Sequence, residues 1–390
     1  MSQPATAPPG VSAQDMALVQ GIDALCTTLY STPDVAARNA ADSQLTRVFH
    51  EAGVGSSSAS TAYTVVVAAD GIKSSAVAAD IKAVPLHEKM LSLSSCGFTL
   101  HFSARALLVI VSNCWQVLDA QQRLQLRDFA FNCFVTKGPR VSKIAVNALI
   151  TLTCRITKRG WCESPKYHLV VSEMMQLLPS PDPFYRQLGL RFLSELIEEM
   201  QAIHVTGHLR MGRAAAIAFR DQGLRGIFTA VKRLLQDLSA DACEFEEFSD
   251  EEAFLQLALE TLLACLSYDF DVSNPDHSDV DISVTRMPRA WSDTRDETTI
   301  GLFFELYQAR PGTRCASLAL ECVGKLASLR RTLFSKEERL ALVQRLQRET
   351  LSIMSSSQVC FLQGISCAGK GGNSVLNLYT FQVFWWENLV

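Results

Sequence analysis

Long apolar runs, closely spaced cysteine pairs, strand-like alternation and an excess of charge of either sign are all missing from this 390-residue chain. Each absence removes a class of answer. The most apolar early window, residues 106–111, is followed at once by Ser112 and Asn113, whereas a bilayer-spanning helix needs about 20 consecutive apolar residues; no membrane insertion is expected. The opening MSQPATAPPG carries no basic residue ahead of a hydrophobic stretch, so it does not read as a secretory signal, and residues 1–13 read as a disordered leader. With 36 basic against 40 acidic residues, a net charge of −4 and no dense Lys/Arg stripe, the chain offers little to displace counterions from a phosphate backbone. Direct binding to nucleic acid is not expected.

Signatures of catalysis are equally scarce. Twelve cysteines are scattered among aliphatic residues without a Cys-x-x-Cys pair, which suggests reduced thiols in an intracellular setting and no zinc site. Cys315 and Cys322 fall on one helical face as core fillers. His204 and His208 enclose no Glu, so the metalloprotease pattern fails, and the AGKGG run around Lys370 lacks the spacing and trailing Ser/Thr of a phosphate loop. No Gly-x-Ser-x-Gly elbow occurs. No catalytic, cofactor-binding or metal-binding residue is therefore assigned, and the chain is not expected to be an enzyme.

What is present is helical periodicity, segment after segment. Within 188–203, Leu193, Leu196, Ile197, Met200 and Ile203 share a stripe opposite Glu195, Glu198 and Glu199. Leu255, Leu259, Leu262, Leu263 and Leu266 repeat the pattern. So do Leu318, Cys322, Val323, Leu326 and Leu329, then Leu342, Val343 and Leu346. Helices are expected near 14–30, 33–50, 101–118, 120–136, 140–158, 165–178, 184–203, 211–237, 250–267, 298–309, 314–330 and 336–353. Ser249 with Glu252 and Ser335 with Glu338 have capping-box spacing, and Thr32 before Pro33 suits an N-cap.

Short connections between helices over three hundred residues, with no sheet signal, favour an all-α fold: an α-solenoid of HEAT/armadillo-like antiparallel helix pairs, wound as a right-handed superhelix. Such a stack repeats every ~40–47 residues and works by presenting a surface. A compact helical domain is the competing arrangement. Residues 51–95, rich in Ser, Ala and Val, break the pattern, as does the stretch near 268–297, which reads as a long acidic loop. Residues 354–390 form an atypical tail whose only charges between Ser355 and Val390 are Lys370 and Glu387.

Two acidic clusters stand out. Asp241, Glu244, Glu246, Glu247, Asp250, Glu251 and Glu252 form the first, and Asp269, Asp271, Asp276, Asp279 and Asp281 the second. A solvated loop and a favourable helix N-terminus account for them without any function. As a docking surface they would accelerate encounter with a basic partner more than they would deepen affinity.

At 147–163 the chain reads NALITLTCRITKRGWCE, with Arg155, Ile156, Thr157, Lys158, Gly160 and Trp161 in a segment that resembles the exportin-7 group of importin-β-like nuclear transport receptors. The likeness continues in order through GIFTAVKRLL at 226–235, CLSYDFD at 265–271, MPRAWSD at 287–293, GLFFELYQARP at 301–311 and SLRRTLFSKEERLALVQRL at 328–346. Upstream, 25–49 is similar to the first helix pair of that family, with Leu29, Tyr30, Arg38, Ala40 and Leu45 in place, and 115–132 resembles a later segment. Residues 51–95 and the end of the chain depart from it.

The resemblance implies an N-terminal portion of a nuclear export receptor. Residues 14–136 would then hold the Ran-binding repeats, with 51–95 divergent, and 137–353 further HEAT-like repeats. It also implies Ran in its GTP-bound form and protein cargo as partners, contact with phenylalanine-glycine nucleoporins, and shuttling between nucleus and cytoplasm through the nuclear pore. The twelve acidic residues would face a partner, while Arg155, Trp161, Phe303 and Phe304 are expected to serve packing. A helical-repeat scaffold with no dependence on Ran is the alternative.

Overall fold

The computed structural model describes residues 12–51, 66–67, 73–74, 81–202, 209–239, 248–270, 287–291 and 296–362. Its helices are α1 (Ala13–Ser31), α2 (Val35–Glu51), α3 (Val84–Leu93), α4 (Gly97–Cys114), α5 (Ala120–Lys137), α6 (Lys143–Gly160), α7 (Leu169–Leu177), α8 (Pro183–Gln201), α9 (Leu209–Phe219), α10 (Arg225–Ser239), α11 (Phe248–Leu266), α12 (Glu297–Ala309), α13 (Arg314–Ala327) and α14 (Lys336–Leu362). Strands among the described residues amount to one two-residue antiparallel pairing, β1 (Val66–Val67) with β2 (Lys73–Ser74).

The chain forms two compact units, residues 1–167 with 203–212, and residues 168–202 with 213–390. In the first, α1 pairs with α2, α3 with α4 and α5 with α6, while α4 also packs on α1 and α6, and α3 on α5. In the second, α7 pairs with α8, α10 with α11 and α12 with α13; α11 lies between α8 and α13, and α12 between α10 and α14. Within each unit, hairpins thus contact their sequence neighbours, as expected of a helical solenoid, in which no single helix can bury its apolar stripe alone. The fold is all-α.

Most of the expected stripe residues are buried, with Leu263 and Val343 only half-buried. Leu193, Leu196, Ile197 and Met200 on α8, Leu255, Leu259, Leu262 and Leu266 on α11, and Leu318, Cys322, Val323 and Leu326 on α13 are all in the core; burying each such leucine contributes about 1.5–3 kcal/mol. In the first unit Ile22, Cys26, Leu29, Leu45, Phe49, Met90 and Phe102 form one cluster. His87 sits within it, fully buried, its ring centroid 5.1 Å from Phe49 and 6.0 Å from Phe102. Helix α4 is long and apolar enough to cross a membrane by length and composition, but half of that window is buried inside the fold, as for a core helix.

Several local expectations are corrected. Thr32 ends α1, its N–H donating to the Thr28 carbonyl; Asp34 starts α2, its Oδ1 accepting from the Ala36 N–H at 2.9 Å. Helix α11 begins at Phe248, so Ser249 lies inside its first turn instead of before it. Glu199, placed by spacing on the polar face of α8, is buried. A helix absent from the expectations, α3, occupies 84–93 because Leu86, Met90 and Leu91 bury one short face, a signal hidden by its Ser/Ala/Val-rich surroundings. Helix α14 runs to Leu362, past the expected end at 353.

The Ser335 capping box forms as expected: the Glu338 N–H donates to Ser335 Oγ at 3.1 Å and the Ser335 N–H to Glu338 Oε2 at 2.8 Å. Asp119 and Gln122 make a second such box at the start of α5. Each cap satisfies backbone donors that have no partner within the helix, and is worth roughly 1 kcal/mol.

Candidate partner-binding surface

The family-like segment at 147–163 is built into the fold. Trp161 is 3% exposed, and Arg155 Nη1 and Arg159 Nη2 each donate at 2.6 Å to Ser112, one to its Oγ and the other to its carbonyl. Beside it, Glu163 accepts from the Trp115 indole at 2.8 Å and holds Arg123 with both oxygens at 2.9–3.0 Å, while the Arg123 guanidinium lies 4.7 Å from the Trp115 ring centroid. These side chains brace helices, as expected for Arg155 and Trp161. Phe303 and Phe304 are core residues too, at 0% and 2% exposure.

The first acidic cluster leads into α11. Asp241, Glu244, Glu246 and Glu247 lie outside the described residues, and Asp250 falls in the first turn of α11. Glu251 forms an ion pair with Arg310 at the end of α12, so a residue expected to face a partner also ties two helices of the second unit together. Acidic side chains in this first turn oppose the positive end of the helix dipole. Glu252 lies beside Cys315, whose Sγ contacts the Glu252 carbonyl at 3.6 Å; burial first, and then the Glu252 charge, push the Cys315 thiol up to about 11.

The second cluster begins at a braced corner. Asp269 is exposed, and its N–H donates to Gln201 Oε1 at 3.1 Å; Asp271, Asp276, Asp279 and Asp281 lie outside the described residues. The Tyr268 hydroxyl donates to the Ala216 carbonyl at 2.9 Å, and burial raises its pKa well above the ordinary tyrosine value. Arg220 Nη1 donates to the Phe270 carbonyl at 2.8 Å while its Nε and Nη2 hold Asp221 at 2.7 and 3.1 Å. Phe270 meets Trp291 edge-on at 5.4 Å, and Trp291 packs on Phe228 at 6.1 Å. The residues before and after the acidic stretch therefore meet in one aromatic cluster.

Past the acidic stretch, Asp296 caps α12. Its Oδ1 accepts from the Thr299 N–H at 2.8 Å, and its Oδ2 lies 3.6 Å from Lys232 Nζ. Burial raises the pKa of this carboxyl, but the Thr299 hydrogen bonds and Lys232 outweigh it, so the net value is below that of an ordinary aspartate.

Sequence reasoning missed Arg220, Tyr268 and Trp291 as a brace. Its signal was the aromatics in CLSYDFD and MPRAWSD, on either side of the acidic stretch. The expected single helix 211–237 is in fact α9 and α10 joined by a five-residue π-helical turn, Arg220–Leu224, and the bracing arginine opens that turn. Such wide turns recur at functional positions. Among the described residues no group of His, Cys, Asp or Glu could hold a metal ion.

No family model matches the chain. Curated relatives do: it is 30% identical over 274 residues to exportin-7-B of Xenopus laevis, covering 69% of this chain and 25% of that protein. The chain is a relative of the exportin-7 group. Identity to Ran-binding protein 16 of Drosophila melanogaster is 27% over 349 residues, covering 87% of this chain and 28% of that protein. Ran-binding protein 17 of Homo sapiens is 27% identical over 274 residues, covering 69% of this chain and 25% of the relative. The chain thus spans about a quarter of the length of the exportin-7 relatives it matches.

Proposed function

We propose that this exportin-7 relative is a nuclear export receptor, or a portion of one, that binds the small GTPase Ran in its GTP-bound form together with protein cargo. The observation that carries this reading is the similarity to Ran-binding protein 16, which runs through 349 residues and so takes in helix pairs of both units. The names of the Drosophila and human relatives record Ran binding. Residues 14–136 hold the Ran-binding repeats in this proposal, 137–353 further repeats, and the two acidic clusters face basic side chains of a partner. Glu251 does less of this than the others, because it is engaged by Arg310.

Transport follows from linkage. If Ran and cargo favour the same arrangement of the helix pairs, each strengthens the other, typically by about 1–3 kcal/mol, and hydrolysis of GTP releases both. Passage through the nuclear pore adds phenylalanine-glycine nucleoporins as partners, with shuttling between nucleus and cytoplasm as the result. The chain does no chemistry of its own in this scheme.

The test is retention of purified chain on immobilised Ran loaded with a non-hydrolysable GTP analogue or with GDP. Selective retention on the GTP form supports the proposal. Equal retention on both forms, or on neither, overturns it in favour of a helical-repeat scaffold without Ran dependence.

A further inference from the structure

Helix α5 ends in Lys137, whose ammonium reaches across to the end of α3. Nζ lies 2.6 Å from the Leu91 carbonyl, 2.6 Å from that of Ser92 and 2.8 Å from that of Ser94. An ammonium has three donors and no acceptor, so each N–H has its own carbonyl. These oxygens belong to the last turn of α3 and the residue after it, where helix carbonyls lack internal partners and the dipole is negative. Cys133, one turn earlier on α5, adds a weak contact from its Sγ to the Leu91 carbonyl at 3.6 Å.

The far side of the same turn is held by α1. Ser94 Oγ donates to Asp23 Oδ1 at 2.6 Å and accepts from the Cys96 N–H at 2.9 Å, and Thr27 Oγ1 lies 3.5 Å from Cys96 Sγ. The α3–α4 turn is thus gripped from α1 by neutral and carboxylate groups and from α5 by one positive charge. No other side chain substitutes for that charge: glutamine offers two N–H groups, methionine none, and the flat guanidinium of arginine cannot converge on three oxygens around one nitrogen.

We propose that the three-carbonyl cage around Lys137 is a charge-operated joint between successive helix hairpins, and that Nε-acylation of this lysine releases the α3–α4 turn from α5. An acyl thioester is the co-reactant: the ammonium gives up one proton to solvent to become the attacking amine, the thioester's carbon–sulfur bond breaks as the carbon–nitrogen bond forms, and the second proton leaves with the thiolate as free thiol. The product amide keeps a single N–H and no charge, so two of the three carbonyls lose their donor. Lys137 is half-buried and Ser92 beside it is exposed, which leaves the cage open on one side. Burial also lowers the pKa of this amine from the ordinary lysine value, against the opposing effects of Cys133 and Asp23, so the neutral, reactive form is more accessible than in a solvated lysine.

The experiment uses the full chain with Nε-acetyl-lysine installed at position 137, alongside Lys137→Met and Lys137→Arg, and reads amide hydrogen exchange. Exchange at 91–97 should rise at least tenfold in the acetyl and methionine chains and less in the arginine chain, while α12 and α13 keep their original rates. Unchanged exchange at 91–97, or equal acceleration throughout the chain, overturns the joint. Separately, the unmodified folded chain is treated with acetyl-coenzyme A and mapped by mass spectrometry. Acetylation of Lys137 is expected; a Lys137 still unmodified once exposed Lys336 is fully labelled overturns the modification site.

Discussion

Gly160 lies against the ring of Tyr167 so closely that a β-carbon at that position would fall 2.3 Å from the ring carbons. The close approach lets α6 end over a tyrosine that is itself fully buried. Gly160→Ala must displace a packed ring, which costs roughly 1–3 kcal/mol. Urea unfolding should show that loss; a change below about 0.5 kcal/mol, the size of an ordinary surface substitution, would mean the ring moves aside freely.

Tyr268→Phe removes the hydroxyl that serves the Ala216 carbonyl and little else. Losing that hydrogen bond should cost about 0.5–1.5 kcal/mol, read as a lower urea midpoint with an unchanged slope. Faster exchange at 268–270 should accompany it, since the corner before the acidic stretch loses one of its ties.

Asp296 gives a prediction in pH. Its folded pKa is lowered, so the stability it contributes is present above its unfolded pKa, about 3.9, and fades as pH falls through the lower folded value. Wild type should therefore exceed Asp296→Asn in stability by a constant margin from about pH 7 to pH 5, and the margin should close below about pH 4. A margin that persists at pH 2 would assign the effect to the cap geometry alone.

The proposed docking role makes a kinetic prediction. Neutralising Asp271, Asp276, Asp279 and Asp281 together should slow association with GTP-loaded Ran by about tenfold or more at low salt, with the difference shrinking near 1 M salt, where screening acts within about 3 Å. Stopped-flow association measured at both ionic strengths checks it. An equal effect at both would point to short-range contacts instead of long-range attraction.

Much of the fold was legible because long helices with repeated apolar stripes carry their own signal: Leu193 to Met200, or Leu318 to Leu326, can be assigned to a core from spacing alone. Short or interrupted elements were not. Helix α3 buries only a few side chains between polar neighbours, and the wide turn at Arg220–Leu224 keeps helical composition throughout, so neither alters the periodicity enough to be seen. Capping fared according to competition: Ser335 had one suitable partner in Glu338, whereas Thr32 lost the start of α2 to Asp34, two residues on.

The acidic clusters were legible as composition and not as geometry. Sequence separates Glu251 from Arg310 by nearly sixty residues, and only the packing of α11 near the end of α12 shows that this carboxylate has a partner inside the fold. Tertiary pairing of that kind leaves no local trace, which is why a charge run alone cannot distinguish a docking side chain from a structural one.

The π-helical turn also fixes which way α10 faces. An i→i+5 turn holds one residue more than an ordinary α turn, so winding the same residues as plain α-helix would spin everything downstream by about 100° and give each α10 residue the bearing of the one after it. The directions now filled by Ile227, Phe228, Val231, Leu234 and Leu235, all buried, would then receive Gly226, Ile227, Ala230, Arg233 and Leu234. A single-codon deletion between 220 and 224 would instead be absorbed by the turn and leave the apolar face of α10 inward, whereas a change of winding alone would carry an arginine into a hydrophobic interior although every amino acid had been left untouched.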